Sequence, residues 1–152
     1  MCTGGELEVA LAAGVAPASL GFTATTSRVA ELERAVALGV GTIVVDSAIE
    51  IERLAPSPPA PTPCSASWSG SSAASTPRPT TSSPRARGQK FGFPLAEAEV
   101  AVARIREIPG LEFAGLHCHI GSQIFGVAGF RESASRVLEL HAALLEDGPC
   151  RS

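Results

Sequence analysis

Lysine is almost absent from this chain. Of its twelve Lys and Arg residues eleven are arginine, so any chemistry that needs a lysine amine has one candidate, Lys90. A net charge of −3 leaves no surplus of cations for the concentrated basic face that nucleic acids and anionic membranes require, so neither is an expected partner. No apolar run reaches the roughly 18 to 20 residues that span a bilayer. The N-terminal stretch MCTGGELEVALAAG has no basic start and carries Glu6 and Glu8 early, which argues against a signal peptide. A cytoplasmic protein is the expectation. Cys2, Cys64, Cys118 and Cys150 are scattered without CxxC spacing, so neither a zinc site nor a disulfide framework is expected. The most conspicuous lack is local. Residues 56–88 contain no Leu, Ile, Val, Phe, Asp or Glu and hold eight of the twelve prolines. Without aliphatic side chains such a stretch cannot offset the roughly 1–2 kcal/mol per residue of backbone ordering, so disorder is expected across 56–88. A polyproline II binding segment beginning at Pro56-Ser57-Pro58-Pro59 is the functional alternative.

On either side of that stretch the chain is rich in Ala, Val, Leu and Glu. GGELEVALAAG predicts a helix, with Leu7, Ala10 and Leu11 on one face and Gly14 as its stop. SRVAELERAVALGV predicts a second, with Ser27 as cap, Val29, Leu32 and Val36 as its stripe and Gly39 at its end. GTIVVDS has the short β-branched composition of a buried parallel strand. SAIEIERLA follows as a helix, with Ser47 and Glu50 at capping-box spacing. Residues 5–54 thus read as helix, short strand, helix, strand, helix. Further on, PLAEAEVAVARIREIPG is a helix entered after Pro94 and stopped by Pro109-Gly110. LEFAGLHCHIGSQ is a strand running into a glycine-containing loop. GFRESASRVLELHAALLEDG is a last helix with Phe130, Val137, Leu140 and Leu144 on one side. Strands alternating with helices of this length place the chain in the α/β class, with a parallel sheet or barrel.

GLHCHIGSQIF carries the chemistry. In a strand His117 and His119 share one face and Cys118 takes the other. The strand ends in Ile120-Gly121-Ser122, at the end where α/β barrels build their active sites. Gly121 lets a backbone N–H approach a ligand and Ser122 adds a hydroxyl, a pair suited to a phosphate. Three readings fit the spacing: two metal-ligating histidines lacking a nearby third ligand, two packed barrel-interior histidines, or one wall of a cofactor site. Spacing does not choose among them.

The same residues closely resemble the strand-and-turn motif of the diaminopimelate decarboxylase family. QKFGFPLAEA resembles that family's KFG segment, and GGELEVALAAG, VAELERAVALGVGTIVVDS and EIERLA resemble its stretch from the SGGE helix onward. The likeness covers 4–22, 29–55 and 89–145. It implies a pyridoxal-phosphate-binding (β/α)8 TIM-type barrel followed by a β domain, about half of the barrel being present here as one incomplete domain and the β domain lying outside it. It implies pyridoxal 5'-phosphate as cofactor, a homodimer, an amino-acid substrate, and decarboxylation of meso-2,6-diaminopimelate to L-lysine. By the same resemblance His119 stacks on the cofactor ring, Gly121 and Ser122 contact its phosphate, and Glu6 lies near it. The plain alternative for Glu6 is a first-turn glutamate favoured by the helix dipole. His117 is a structural neighbour and His141 a surface residue. An ornithine or arginine decarboxylase of the same family, a non-catalytic pyridoxal-phosphate-binding barrel and an interaction protein using the Pro/Ser stretch are the rivals. The HCHIGSQ flanks favour the diaminopimelate branch.

The family's Schiff-base lysine stands on the first barrel strand, upstream of the SGGE helix, and Lys90 matches the KFG segment instead. The 152-residue chain alone is therefore expected not to decarboxylate. Where the likeness lapses, at 23–28 and 56–88, a change of reading frame is the expected cause, because synonymous codons exist for part of each stretch that would restore it. If Thr23–Ser27 are written with the synonymous codons ACG GCA ACA ACA AGT after a C, the frame one base earlier spells His-Gly-Asn-Asn-Lys as in the family. Thr80–Pro84 treated likewise spells His-Asp-Phe-Ile-Ala, close to the family's loop. Compensated insertions and deletions in the coding sequence are the expectation. The nucleotide sequence tests it: the neighbouring frame across 56–88 should encode an Arg-containing strand and a histidine loop, and its failure to do so sinks the idea.

Overall fold

A computed structural model describes residues 1–24, 28–56, 62–69, 92–119 and 127–146. Helix α1 spans Gly4–Ala12 and ends before Gly14, whose φ of 82° reverses the chain. A 3-10 turn at Pro17–Ser19 leads into strand β1, Gly21–Thr23. Helix α2, Val29–Leu38, closes on the left-handed Gly39 and is followed by β2, Thr42–Val45. Helix α3 is Ala48–Leu54, β3 is Thr62–Ser69, α4 is Leu95–Glu107, β4 is Leu111–His119 and α5 is Val127–Glu146. The sequence anticipates the five helices, β2 and β4, and a short strand between α1 and α2 without its bounds, but neither the 3-10 turn nor β3.

The four strands form one parallel sheet in the order β1-β2-β3-β4. Strands that step in one direction through right-handed crossovers carry their connecting helices on one face. Helices accordingly neighbour one another in sequence, α1 on α2, α2 on α3 and α3 on α4, while α4 lies against β3 and β4 and α5 against β4. The core forms between these layers. Phe22, Ile43, Val45, Cys64 and Phe113 enter it from the sheet, and Leu7, Leu32, Ile51, Val102 and Ile105 from the helices. Each large apolar side chain so buried contributes roughly 1.5–3 kcal/mol. The exposed ion pairs, Arg34 with Glu8 and Arg104 with Glu52, contribute about 0–1 kcal/mol apiece and do not decide the fold. One close approach fixes a residue type. A Cβ on Gly41 would stand 2.1 Å from the carbonyl oxygen of Ala18, so only glycine lets the turn after α2 pass the 3-10 turn.

Three expectations are corrected. Disorder does not hold across all of 56–88, because Thr62–Ser69 is the strand between β2 and β4. Here backbone partners on both sides hold the strand, and its core face is met by small side chains. Cys64 and Ala66 alternate there, 0% and 1% exposed. Residues 57–61 and 70–88 lie outside the described residues. The residue preceding α2 is Arg28, whose N–H donates to Glu31 at 2.8 Å; Ser27 lies outside the described residues. Val29 and Phe130 are exposed rather than buried. On α2 the buried face is Leu32, Ala35 and Val36, and on α5 it is Ser133, Leu140 and Leu144. Ser133 meets β4 through Cys118, with Sγ and Oγ 3.0 Å apart.

Candidate functional site

Because all four strands run in parallel, their C-terminal ends line one rim, where Ala24, Asp46 and His119 stand. The helices that follow the strands begin at the same rim, so their N-terminal N–H groups collect there. Carboxylates meet them. Helices α1, α2, α3 and α4 each carry glutamate at their third position: Glu6, Glu31, Glu50 and Glu97. Glu6 accepts from the Cys2 N–H at 2.6 Å, while its own N–H donates to the Thr3 hydroxyl at 3.2 Å. Glu31 accepts from the Arg28 N–H and, with its other oxygen, from the Gly4 N–H, both at 2.8 Å, so one carboxylate ties the starts of two helices. Glu50, buried, accepts from Asp46 N–H at 2.6 Å and Ser47 N–H at 3.1 Å, the carboxylate half of the capping box expected from Ser47 and Glu50.

These environments shift the carboxyls in opposite directions. The Arg28 and Gly4 N–H groups hold Glu31 below the ordinary carboxylate range. Burial pushes Glu50 up, against the lowering pull of the Asp46 N–H. Burial also pushes the Cys64 thiol up to about 12, which keeps it protonated and inert at neutral pH.

His117 and His119 both stand exposed on the sheet face away from the helices, and Cys118 points the other way, onto Ser133 of α5. The alternation expected from the sequence is present. Glu6 has the geometry of a residue that organises the start of its helix. His141 is half-buried on α5 rather than on open surface. Gly121, Ser122 and Lys90 lie outside the described residues. Among the described residues no group of three or more His, Cys, Asp or Glu side chains is placed to hold a metal ion. No helix among them is long and apolar enough to cross a membrane.

The description "pyridoxal-dependent decarboxylase, pyridoxal binding domain" matches residues 1–149. The chain belongs to the pyridoxal-dependent decarboxylase family. Its members are lyases that use pyridoxal phosphate. The chain is 41% identical over 143 residues to the diaminopimelate decarboxylase of Mycobacterium leprae, which covers 92% of this chain and 30% of that protein. It is 36% identical over 145 residues to the same enzyme of Actinosynnema pretiosum, covering 94% and 33%. The crystal structure of the Helicobacter pylori diaminopimelate decarboxylase complexed with L-lysine superposes with a TM-score of 0.80 at 25% identity, over 95% of this chain and 37% of that one. The lysine/ornithine decarboxylase of Vibrio vulnificus complexed with cadaverine shares the fold, with a TM-score of 0.77 at 22% identity, over all of this chain and 37% of that one. The chain thus spans about a third of the length of the curated relatives it matches. Its four-stranded parallel sheet is part of a decarboxylase barrel.

The residues present suit the family's cofactor in one respect that the structure shows. An exposed imidazole at a strand's C-terminal end, on the face free of helices, offers a flat surface to an aromatic ring. Sequence reading singled out this histidine but missed Glu31, although glutamate at the third position of four successive helices was its visible signal.

Glu31→Gln should expose the helix-tying role. A carboxyl whose folded pKa is lowered stabilises the fold above its unfolded pKa and loses that stabilisation as pH falls through the lowered value. The variant should therefore melt below the unchanged chain at neutral pH. The gap should close as the solution is acidified below the usual carboxylate range, as read by circular dichroism melts along a pH series.

Proposed function

We propose that this chain carries part of the cofactor-binding barrel of a cytoplasmic, homodimeric diaminopimelate decarboxylase, which converts meso-2,6-diaminopimelate to L-lysine. The observation that carries the reading is His119 at the C-terminal rim of β4, in a chain 41% identical to enzymes of that name. When bound, pyridoxal phosphate supplies the electron sink for the pair released as a carboxylate leaves. His119 supplies the flat imidazole against its ring, and Gly121 and Ser122 hold its phosphate. Glu6 stands near the cofactor and keeps the start of α1 in place. His117 supports the strand without touching the ligand. An ornithine or arginine decarboxylase of the same family is the alternative substrate reading. Identities of 41% and 36% to diaminopimelate decarboxylases favour the first.

Lys90 stands outside the histidine strand, in the segment that resembles KFG, and does not serve as the amine that holds the cofactor. The 152-residue chain alone therefore binds pyridoxal phosphate only non-covalently and does not decarboxylate. We also read 23–28 and 56–88 as stretches translated out of frame; the strand position within the second is filled by Thr62–Ser69 as they stand.

Titrating the purified chain with pyridoxal phosphate and following its absorbance tests the reading. Loss of one aromatic stacking contact costs roughly 1 kcal/mol, so His119→Ala should weaken binding about fivefold, while His117→Ala leaves it unchanged. Borohydride should fix no label on Lys90, and meso-diaminopimelate should release no carbon dioxide. A trapped adduct on Lys90 accompanied by decarboxylation, or equal effects of the two histidine variants, would contradict the assignment.

A further inference from the structure

Strand β4 changes phase along its length. Phe113 faces the helices: it is 5% exposed, and the Arg106 guanidinium of α4 lies 5.5 Å from its ring centroid. Cys118 faces the helices too, 3.0 Å from the Ser133 hydroxyl of α5, and Leu116 packs against the same core. In a regular strand residues five apart point to opposite faces, so 113 and 118 cannot both look at the helix layer. Pairing with β3 shows where the phase slips. Cys64 pairs with Phe113 but Ser65 pairs with Gly115, so Ala114 is an extra residue opposite no partner. This is a one-residue bulge, uncommon between parallel strands. Gly115, with φ of 153°, carries the irregular backbone, and a Cβ there would meet nothing within 4 Å.

We propose that the Ala114–Gly115 bulge is the positioning device that turns His117 and His119 onto the open sheet face. Without the extra residue the odd-numbered set that begins with the buried Leu111 and Phe113 would continue through 115, 117 and 119. Both histidines would then point into the helix layer, and Cys118 would stand on the open face. One inserted residue reverses every side chain beyond it. Neither Ala114 nor Gly115 touches a ligand in this reading; both act through the histidines. The inference deepens the cofactor assignment by naming what creates the histidine wall, and its role for His119 rests on that assignment.

Deleting Ala114 in the full chain tests it, with side-chain exposure as the readout. In the unchanged chain, diethylpyrocarbonate should modify His117 and His119 readily while a water-soluble maleimide reaches Cys118 slowly, each located by peptide mass mapping. In the deletion variant the order should reverse, with Cys118 labelled first and the histidines protected. An unreversed order in a variant that keeps its circular dichroism would overturn the proposal, as would a readily labelled Cys118 and protected histidines in the unchanged chain. Gly115→Ala serves if the deletion variant does not fold. Its methyl enters open space, so any effect comes from the backbone conformation alone. A lowered ratio of histidine to Cys118 labelling supports the bulge, and an unchanged ratio overturns it. None of these readouts needs pyridoxal phosphate, so a failure of cofactor binding leaves them standing. A deletion variant with reversed labelling and undiminished pyridoxal phosphate binding would support the bulge and remove His119 from the cofactor site.

Discussion

Backbone pairing of Thr62–Ser69 with its two neighbours is the interaction on which the rest depends. β3 joins β2 on one side and β4 on the other, so without it the histidine strand is severed from the half of the sheet that carries β1 and β2. The residues that do this are poor in aliphatic side chains. Their contribution comes from ladder hydrogen bonds, which any non-proline residue can supply, and from Cys64 and Ala66, small enough to pack under α4 where larger groups would not be needed. Ordering them costs roughly 1–2 kcal/mol per residue, and the flanking strands and helix offset that cost. The strand is made by its context rather than by its composition.

That explains what was legible in the sequence. Helices α1 to α5 and strands β2 and β4 announce themselves because an apolar stripe at helical spacing, or a β-branched run, is a local property. Gly39, Pro94 and Gly110 mark boundaries for equally local reasons. β3 does not announce itself, because its partners are distant in sequence and its described buried residues are the small Thr62, Cys64 and Ala66. The exposure of Phe130 is hidden for the same kind of reason: helical spacing brings it near the stripe of Leu140 and Leu144, but Ser133 makes the contact with β4.

The candidate site was legible in its chemistry and partly hidden in its geometry. His117-Cys118-His119 alternates as a strand must, and the role proposed for His119 rests on the resemblance to decarboxylases. Strict alternation from Leu111 would nonetheless have aimed the histidines the wrong way. The lone Gly115 inside an apolar strand was the signal of a bulge, but only the pairing with β3 shows which residue is extra. The glutamates at the third position of α1, α2 and α3 likewise gain meaning once parallel strands bring those helix starts to one rim. Glu31 ties the starts of α1 and α2 together, and Glu6 and Glu50 each hold the start of their own helix. Strand β3 is thus the common support, since it sets both the continuity of the rim and the register against which the bulge is defined.

Hydrogen exchange at the backbone amides of Thr62–Ser69, followed by mass spectrometry on the intact chain, tests that dependence most directly. Protection there comparable to that of β2 and β4 is the result expected of a strand paired on both sides. Exchange at the rate of an unstructured peptide, with β2 still protected, would contradict it and leave the histidine strand without its support.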